Sequence, residues 1–333
     1  MGVKGYKAFN KGMICRGKQY KENATYEENG NEICEAGVMH FCENPFDVLN
    51  YYPLVDENGG ISDFADVEAI GDIYKEKDKT ATNKLHIGAK LGLKGFIKAC
   101  VDFTIEKTRI EPAKDNETDS GGYYAQIGSS GYYAQIGSSG DYAQIGSSGD
   151  YAQIGSSGDY AQIGSSGYYA QIGSSGDYAK IGSSGDYAKI GSSGYYAQIG
   201  SSGDSAKIGS SGDSAKIGSS GDYAQIGSSG DYAQIGSSGD YAQIGSSGYY
   251  AQITSEGNNS VVMAAGYNSI VKAKIGSWIT LAEWIRTDKA NDSGNYIWIP
   301  KCVKTEYVDG ERIKEDIFYK LVDGKFKEVE SEE

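Results

Sequence analysis

The sequence predicts a mainly β protein built around a parallel, two-sheet β-solenoid with two nonapeptides per coil. The first observation is a nonapeptide, Gly-Ser-Ser-Gly-(Asp/Tyr)-Tyr-Ala-(Gln/Lys)-Ile, that recurs fifteen times between residues 121 and 253 without an insertion. A short fixed period of this kind is typical of stacked, quasi-one-dimensional folds. The second observation is that alanine and isoleucine are unchanged in every copy, whereas tyrosine and glutamine are not. A small α+β domain is predicted before the solenoid, and an antiparallel β meander after it.

The alternation within the repeat predicts which residues face the core. Ser205 and Ser214 replace tyrosine and four lysines replace glutamine, so both positions are expected to face solvent. Tyrosine out, alanine in, glutamine out and isoleucine in is the two-residue period of a half-buried strand. Since nine is odd, the Gly-Ser-Ser-Gly segment is expected to reset the phase through turns. A nine-residue coil, about 30 Å in perimeter, leaves almost no interior, which favours two repeats per coil.

The segment before the repeats predicts short strands and two helices. Asn44 followed by Pro45 is a helix start, with the asparagine as N-cap and the proline in the first turn. The segment from about residue 81 to residue 107 is expected to be a longer helix, packed against the first domain or over the open end of the solenoid. The strands predicted in this part are 6–9, 15–20, 38–42 and 64–73.

The repeat degrades at both ends, as capping coils do. Thr118 falls in phase with the isoleucine column, so a degraded coil is expected before the first clean copy. Stepping by nines along the alanine column leads to Trp278, which predicts a tryptophan plug in the far end of the core. Asp309-Gly310 and Asp323-Gly324 lie between alternating runs and predict hairpin turns. The predicted units are residues 1–76 (α+β domain), 77–113 (helical connector or cap), 114–284 (solenoid with degenerate end coils) and 285–333 (C-terminal β-hairpin module).

Composition narrows the classes of function. A net charge of −14 disfavours direct binding to nucleic acid or to an anionic membrane. Five scattered cysteines without a Cys-x-x-Cys pair predict free thiols in a reducing compartment rather than a disulfide framework or a zinc site. Neither a signal-peptide core nor an apolar run of about 18 residues occurs, so a cytoplasmic protein that spans no membrane is expected. Phosphate-loop, zinc-protease and serine-hydrolase motifs do not occur either.

The tyrosines of the repeat are the candidate binding residues. Stacked along the rod they form columns, which either hold the register as structural ladders or present a recognition surface for a protein partner. Self-association through these tyrosine faces, or through the ends of the solenoid, is a further hypothesis. The candidate binding residues are Tyr124, Tyr133, Tyr142, Tyr151, Tyr160, Tyr169, Tyr178 and Tyr187.

The repeat can be compared with three functions known for acidic or repetitive β proteins: calcium binding, ice binding and mimicry of DNA. Calcium-binding nonapeptides place their aspartate differently after a Gly-Gly doublet, and ice-binding solenoids use threonine rows, which are missing here before Thr254. Mimicry of DNA is the third. The ten repeat aspartates would form two acidic edges with at most about one charge per 2.4 Å, compared with about 1.7 Å in duplex DNA. Five tyrosines at the same position and four lysines dilute this field.

Three stretches resemble one known family. They are Cys-Arg-Gly-Lys-Gln-Tyr at 15–20, Gly-Val-Met-His-Phe-Cys-Glu-Asn-Pro-Phe-Asp-Val-Leu-Asn-Tyr-Tyr-Pro at 37–53, and Phe-Ala-Asp-Val-Glu-Ala-Ile-Gly at 64–71. An uncharacterised domain family of bacteriophage and prophage proteins, often followed by Gly-Ser-Ser-Gly-type repeats, looks similar. Residues 278–284 and 308–314 are similar to the endings of the same proteins. The resemblance implies a phage or prophage origin and a bacterial host cell, but no activity.

A second resemblance concerns the first 75 residues. A strand with Arg16, a strand leading into Asn-Pro-x-x-Val-x-x-Tyr, and a strand with Glu68 follow an order that resembles ADP-ribosyltransferases. The resemblance implies NAD as the cofactor, with Arg16 in contact with it and Tyr51 or Tyr52 stacked on the nicotinamide. Glu68 would be the catalytic carboxylate. His-Phe-Cys at 40–42 stands where that family has Ser-Thr-Ser.

The leading functional hypothesis is a non-enzymatic scaffold encoded by a phage or prophage. In it, a rigid solenoid displays or spaces two terminal modules and binds a protein partner, without a metal or cofactor. Two alternatives stay open: an ADP-ribosyltransferase-like, NAD-using domain displayed on a solenoid, and an acidic solenoid that mimics DNA.

Overall fold

The chain folds into an N-terminal domain, a two-sheet solenoid and a pair of C-terminal hairpins. The structure is a computed structural model that describes residues 2–30, 38–56, 59–107, 117–120, 122–290 and 296–330. Cys34 and the end of the acidic tail lie outside the described residues. The mainly β architecture expected from the repeat is therefore confirmed, and so is the position of the solenoid between two smaller parts.

The solenoid has two nonapeptides per coil, as predicted. Strands pair in parallel with a step of 18 residues, so that Ile136 lies opposite Ile154 in one sheet and Ile145 opposite Ile163 in the other. Each sheet has 11 strands, counting the hairpin strands at its end. We call the sheet that begins with Glu117–Ser120 the open sheet. Its strands are β10 (Glu117–Ser120), β12 (Gln135–Ser138), β14 (Gln153–Ser156), β16 (Gln171–Ser174), β18 (Lys189–Ser192), β20 (Lys207–Ser210), β22 (Gln225–Ser228), β24 (Gln243–Ser246), β26 (Val261–Ala264), β28 (Trp278–Ala290) and β29 (Tyr296–Tyr307).

The facing sheet, the covered sheet, takes the alternate repeats. Its isoleucines and those of the open sheet point at each other across a thin core, in which the fifteen repeat isoleucines are at most 4 % exposed. The inward assignment of alanine and isoleucine is thus confirmed. Its strands are β11 (Gln126–Ser129), β13 (Gln144–Ser147), β15 (Gln162–Ser165), β17 (Lys180–Ser183), β19 (Gln198–Ser201), β21 (Lys216–Ser219), β23 (Gln234–Ser237), β25 (Gln252–Ser255), β27 (Ile270–Lys272), β30 (Phe318–Val322) and β31 (Lys325–Val329).

The corner of each repeat differs from the prediction. The strand is Gln-Ile-Gly-Ser, so the first glycine points outward from a sheet and the first serine points inward. Tyrosine lies in the turn, where its φ is positive (57° at Tyr142), so it belongs to the edges of the rod and not to its faces. The second glycine serves close packing, because a methyl group at Gly194 would lie 2.0 Å from the carbonyl oxygen of Gly176 in the preceding coil. Gly-Ser-Ser-Gly is therefore not the turn.

The two ends of the repeat region behave differently. At the first end, Thr118 pairs with Ile136, which confirms that a degraded coil precedes the clean copies. At the far end, the prediction that Trp278 plugs the core is wrong. Trp278 pairs with Val261, 17 residues earlier, because the last turn is one residue shorter than its predecessors. This shift puts Trp278 in the outward column at 48 % exposure, while Ser277 before it is fully buried.

Antiparallel hairpins finish both sheets. β28 and β29 extend the open sheet, while β30 and β31 extend the covered sheet after β30 meets β27 antiparallel. The Asp323-Gly324 hairpin turn is confirmed, with φ of 52° and 66° at its two residues. The prediction of a hairpin at Asp309-Gly310 is wrong, because the strands before and after these residues belong to different sheets. There the Asp309 carboxylate accepts hydrogen bonds from three backbone N–H groups, which fixes a loop.

The N-terminal domain contains one sheet of order β1 (Val3–Phe9), β6 (Asp63–Ala69), β9 (Lys84–Leu91) and β4 (Ala24–Glu27), and a smaller one of order β5 (Met39–Phe41), β8 (Thr80–Thr82) and β7 (Ile73–Lys75). The helix predicted after Asn44 is a 3-10 helix, Pro45–Asn50, and the asparagine side chain accepts a hydrogen bond from Phe46 N at 3.1 Å. The prediction of a helix over 81–107 is wrong for the first half of that segment, because residues 84–91 form strand β9 and pair with β6. The remaining elements of the domain are the short hairpin of β2 (Ile14–Cys15) and β3 (Lys18–Gln19), and the helix α1 (Leu93–Lys107).

Helix α1 fixes the domain to the solenoid. It packs on the flat outer surface of the covered sheet, across β13, β15, β17 and β19, and not over the open end of the rod. Phe96 stacks on Phe64 of β6, with ring centroids 3.8 Å apart, so the other side of the helix holds the N-terminal sheet. The helix is therefore the layer between the two parts.

Candidate functional sites

The N-terminal domain holds a cavity of about 420 Å³ between β1, β5 and the hairpin β2–β3. Lys7 on β1 lines it and is only 6 % exposed, with Nζ donating to the carbonyl oxygen of His40 at 2.7 Å. Among the described residues, no carboxylate forms an ion pair with this ammonium group. Burial lowers the pKa of Lys7, because the charged form loses its solvent. The cavity therefore contains a buried amino group for which the described part of the chain supplies no carboxylate partner.

Other polar groups converge on the same cavity. Tyr52 Oη donates to Cys15 Sγ at 3.2 Å, and burial followed by this hydrogen bond raises the pKa of the Tyr52 phenol. Nε2 of His40 is buried and has no hydrogen-bond partner in the described part of the chain. Burial also lowers the pKa of His40, which favours the neutral imidazole. Arg16 lies exposed on the lining in a left-handed conformation, with φ of 49°.

The structure brings together two of the three residues that the ADP-ribosyltransferase resemblance implied. Arg16 and Tyr52 line the cavity, as does Tyr51. Glu68 does not line it. It lies on β6 opposite Lys4 and His86, and its neighbours Val67 and Ala69 face the cluster on the other side of the sheet. Lys7 was missed from the sequence, although a lysine between Tyr6 and Ala8 in a buried strand was the signal for it.

The predicted binding tyrosines form two columns along opposite edges of the rod. In the first, the rings of Tyr142 and Tyr160 are parallel to within 3° and 4.8 Å apart; in the second, Tyr151 and Tyr169 are 5.1 Å apart. Ser205 and Ser214 belong to adjacent repeats, so both columns are interrupted at the same coil. The column positions of the predicted residues are Tyr124, Tyr142, Tyr160 and Tyr178 on one edge, and Tyr133, Tyr151, Tyr169 and Tyr187 on the other.

The aspartates of the repeat also form columns, and their carboxylates hydrogen-bond to the backbone of the next coil. Oδ1 of Asp159 accepts a hydrogen bond from the backbone N–H of Asp177, one coil further on, at 2.8 Å. Oδ1 of Asp204 accepts from Asp222 N at 3.0 Å in the same way. One carboxylate oxygen is therefore directed at the turn of the following coil, and Tyr168 and Tyr195 interrupt the two columns.

The two sheets present the same repeat sequence but differ in what lies on them. On the covered sheet, Lys180 is 8 % exposed, and its Nζ donates to Asn50 Oδ1 at 2.6 Å and to the Phe46 carbonyl oxygen at 3.2 Å. Burial lowers the pKa of Lys180 and raises that of nearby Asp47 to about 6, while the attraction between them opposes both shifts. On the open sheet, the outer face is a shallow groove of about 1200 Å³ along at least five rungs.

Neither a membrane helix nor a metal cluster is found in the described ranges. No helix there is both long and apolar enough to cross a bilayer. No three histidine, cysteine, aspartate or glutamate side chains within these ranges converge as ligands for a metal ion.

Comparison with known proteins reaches the N-terminal domain alone. No curated protein and no solved structure matches the chain. The matching region, 3–99, runs from β1 into α1, and so includes the cavity and the first half of the helix that seats the domain on the solenoid. Residues 3–99 match the family model described as a domain of unknown function (DUF7666), which gives this part of the chain a family but no activity.

Proposed function

We propose that this protein is a non-enzymatic binding scaffold: a rigid solenoid that carries the N-terminal domain on its covered sheet and offers its open sheet and edges to a protein partner. The observation that carries the proposal is the covered sheet itself. Its outer face consists of repeat residues, and it already binds a folded domain through apolar contacts and the buried Lys180. The opposite face has the same composition of glutamine and glycine columns.

A phage or prophage origin and the cytoplasm of the bacterial host are part of the same proposal. They are supported by the resemblance of 15–20, 37–53 and 64–71 to phage and prophage proteins, and by thiols at Cys15, Cys42, Cys100 and Cys302 that form no disulfide. Acidic mimicry of DNA is less well supported, because the aspartate columns bind turns of the rod and are interrupted by tyrosines.

The test is affinity capture with the full chain from a bacterial host lysate, followed by reconstitution of the purified pair. A scaffold predicts a stoichiometric protein complex that survives nuclease treatment and about 0.5 M salt, since apolar docking is screened little by ions. A complex that dissociates in salt and is displaced by DNA would contradict the scaffold hypothesis and support the acidic mimic. Replacing the ten repeat aspartates by asparagine separates the two, because it removes the charge and keeps Oδ1.

A second candidate function is favoured by the buried ammonium group of Lys7. We propose that the N-terminal cavity binds a small anionic ligand whose charge neutralises this group, with Arg16 at the lining as a second cation. NAD, which the resemblance to ADP-ribosyltransferases implies, is the first ligand to test by calorimetry. Lys7→Met and Arg16→Ala should each weaken binding at least tenfold. NAD hydrolysis that disappears in Glu68→Ala would instead support the enzymatic alternative.

A further inference from the structure

The open sheet carries a stripe of bare glycine. The first glycine of each repeat points outward there, and a methyl group built at Gly155, Gly173, Gly191, Gly209 or Gly227 would meet no atom within 4 Å. A column of glutamine and lysine side chains runs beside the stripe and forms one wall of the groove. The stripe is therefore a straight, shallow groove with a backbone floor and a wall of glutamine and lysine side chains on one side.

The matching stripe on the covered sheet shows what such a groove accepts. There, a methyl group at Gly200 would lie 2.9 Å from Cδ1 of Ile97, and one at Gly218 would lie 3.4 Å from Leu93 Cδ2. Further along α1, the Thr104 side chain occupies the same place over its own glycine, with Cβ 3.1 Å from a methyl at Gly164. One ridge of the helix thus fills the stripe, and the missing side chains of glycine leave room for it.

Helix and rod have nearly the same repeat distance. A helical turn rises about 5.4 Å, and a rung of a parallel sheet about 4.8 Å. From Leu93 to Thr104 the helix advances about 16 Å, while the glycines that these two residues cover, Gly218 and Gly164, are three rungs or about 14 Å apart. Over three turns, therefore, each turn of the helix can place one side chain on one rung. An extended strand rises about 3.3 Å per residue and presents every second side chain to the same surface. Its spacing on that side, about 6.6 Å, does not match one rung.

Each sheet carries two repeat lysines, but only on the open sheet do the two lie on neighbouring rungs; Lys180 and Lys216 of the covered sheet are separated by β19. Lys189 and Lys207 are paired directly on neighbouring rungs, in the middle of an otherwise uncharged wall. Within the described residues neither of them forms an ion pair, and both are exposed. Lys180 on the covered sheet, by contrast, has its partners on the docked domain. Two adjacent unneutralised cations favour an occupant with carboxylates at this point.

We propose that the open glycine stripe is the docking groove for an amphipathic α-helix of a protein partner. The helix carries branched side chains no larger than leucine at i, i+4, i+8 and i+11, and carboxylates beside the ridge. This inference rests on the scaffold function and specifies its site and partner. A second copy of the chain is disfavoured as the occupant, because α1, the one α-helix of the described residues, is already seated on the covered sheet of its own chain.

The chain itself provides the probe for a test. A stapled, fluorescent peptide of residues 93–107 carries the required ridge, and Lys94→Glu with Lys98→Glu in the peptide adds carboxylates beside it. Fluorescence anisotropy with the full protein should show saturable binding, at least fivefold tighter for the acidic peptide. Gly173→Leu with Gly191→Leu fills the groove and should weaken binding at least tenfold. Lys189→Gln with Lys207→Gln, which restores the residue of the other repeats, should abolish the preference for the acidic peptide.

Controls separate this groove from other surfaces. Lys325→Gln, an exposed position on the C-terminal strand β31, should leave peptide binding unchanged, and circular dichroism should show that each variant keeps the parent's β signal. The proposal is overturned if the acidic peptide does not saturate the protein, or if it binds the groove-filled variant as tightly as the parent. A partner captured equally well by the groove-filled variant rejects this groove and leaves the scaffold standing. If neither a partner nor the peptide binds, both are rejected.

Discussion

The two glycines of one repeat should respond to the same substitution in opposite ways. Gly194 lies at a corner where a methyl group would be 2.0 Å from the carbonyl oxygen of Gly176, whereas a methyl group at Gly191 meets nothing within 4 Å. Gly194→Ala must therefore push two coils apart, since neither contacting group is a flexible side chain. Gly191→Ala requires no movement, and it restricts the unfolded chain.

The cost of opening the corner follows from the hydrogen bonds that cross it. Three join the same two coils there: Tyr178 N to the carbonyl oxygen of Tyr195, Tyr195 N to Asp177 Oδ1, and Ser193 N to the carbonyl oxygen of Ser174. At a net 0.5–1.5 kcal/mol each, their loss costs on the order of 1.5–4.5 kcal/mol. Gly191→Ala should instead change the free energy of unfolding by less than about 1 kcal/mol, on the stabilising side.

Urea unfolding followed by circular dichroism measures the difference between the two variants. Because each coil contacts only its neighbours, hydrogen exchange should also localise the opening to the amides around Gly194. The reasoning is refuted if Gly194→Ala is no less stable than Gly191→Ala, or if its exchange increases evenly along the rod.

Three other perturbations test the core, the columns and the seat of the N-terminal domain. Ile190→Asp places an unpaired carboxylate in the apolar core and should cost more than about 3 kcal/mol, against about 1 kcal/mol for Ile190→Val; equal urea midpoints would contradict the inward assignment. Ser205→Tyr with Ser214→Tyr completes both tyrosine columns and should add about 0.5–1.5 kcal/mol for each new stacked ring, and no gain in urea would mean that stacking does not stabilise the rod. Asp47, whose pKa rises from 3.8 to about 6 on folding, contributes stability that is fully present below pH 3.8 and lost as the pH rises through 6. Relative to Asp47→Asn, the parent should therefore lose up to about 3 kcal/mol of unfolding free energy between pH 4 and pH 7, and a difference that stays constant with pH would contradict the raised pKa.

The sequence predicted the core of the solenoid well because the core is made of invariant positions. Fifteen copies sample each position repeatedly, so the residues that never vary identify the packed columns without any relative. The corner was predicted less well, since Tyr142 and its equivalents adopt a positive φ that usually belongs to glycine. The glycine that looked like the turn, Gly194 in its repeat, is instead required by contact with another coil, which a single repeat does not reveal.

Local counting failed where the chain departs from its own period. Trp278 was assigned by steps of nine, and one missing residue in the last turn moved it from the core to the surface. The segment 84–91 has apolar residues that suit a helix or a strand, and its pairing with β6 decided for the strand.

The seat of the N-terminal domain could not be predicted, because both sheets have the same repeat sequence. The sheets differ in where their lysines lie, and only the structure shows that Lys180 meets Asn50 and Phe46 of the docked domain. In the cavity, Arg16 and Tyr52 were suggested by resemblance, whereas Lys7 needed the burial of β1 to be noticed.

Two repeats per coil make the parity of the copy number a structural variable. Adding or deleting a pair of nonapeptides lengthens or shortens the rod by one rung, about 4.8 Å, and leaves every other element in its orientation. Adding a single nonapeptide exchanges the sheets for everything that follows, so the C-terminal hairpins would be turned by half a revolution relative to the N-terminal domain. Repeat arrays gain and lose units by recombination, and in this architecture even changes adjust reach while odd ones reverse the side on which the chain ends.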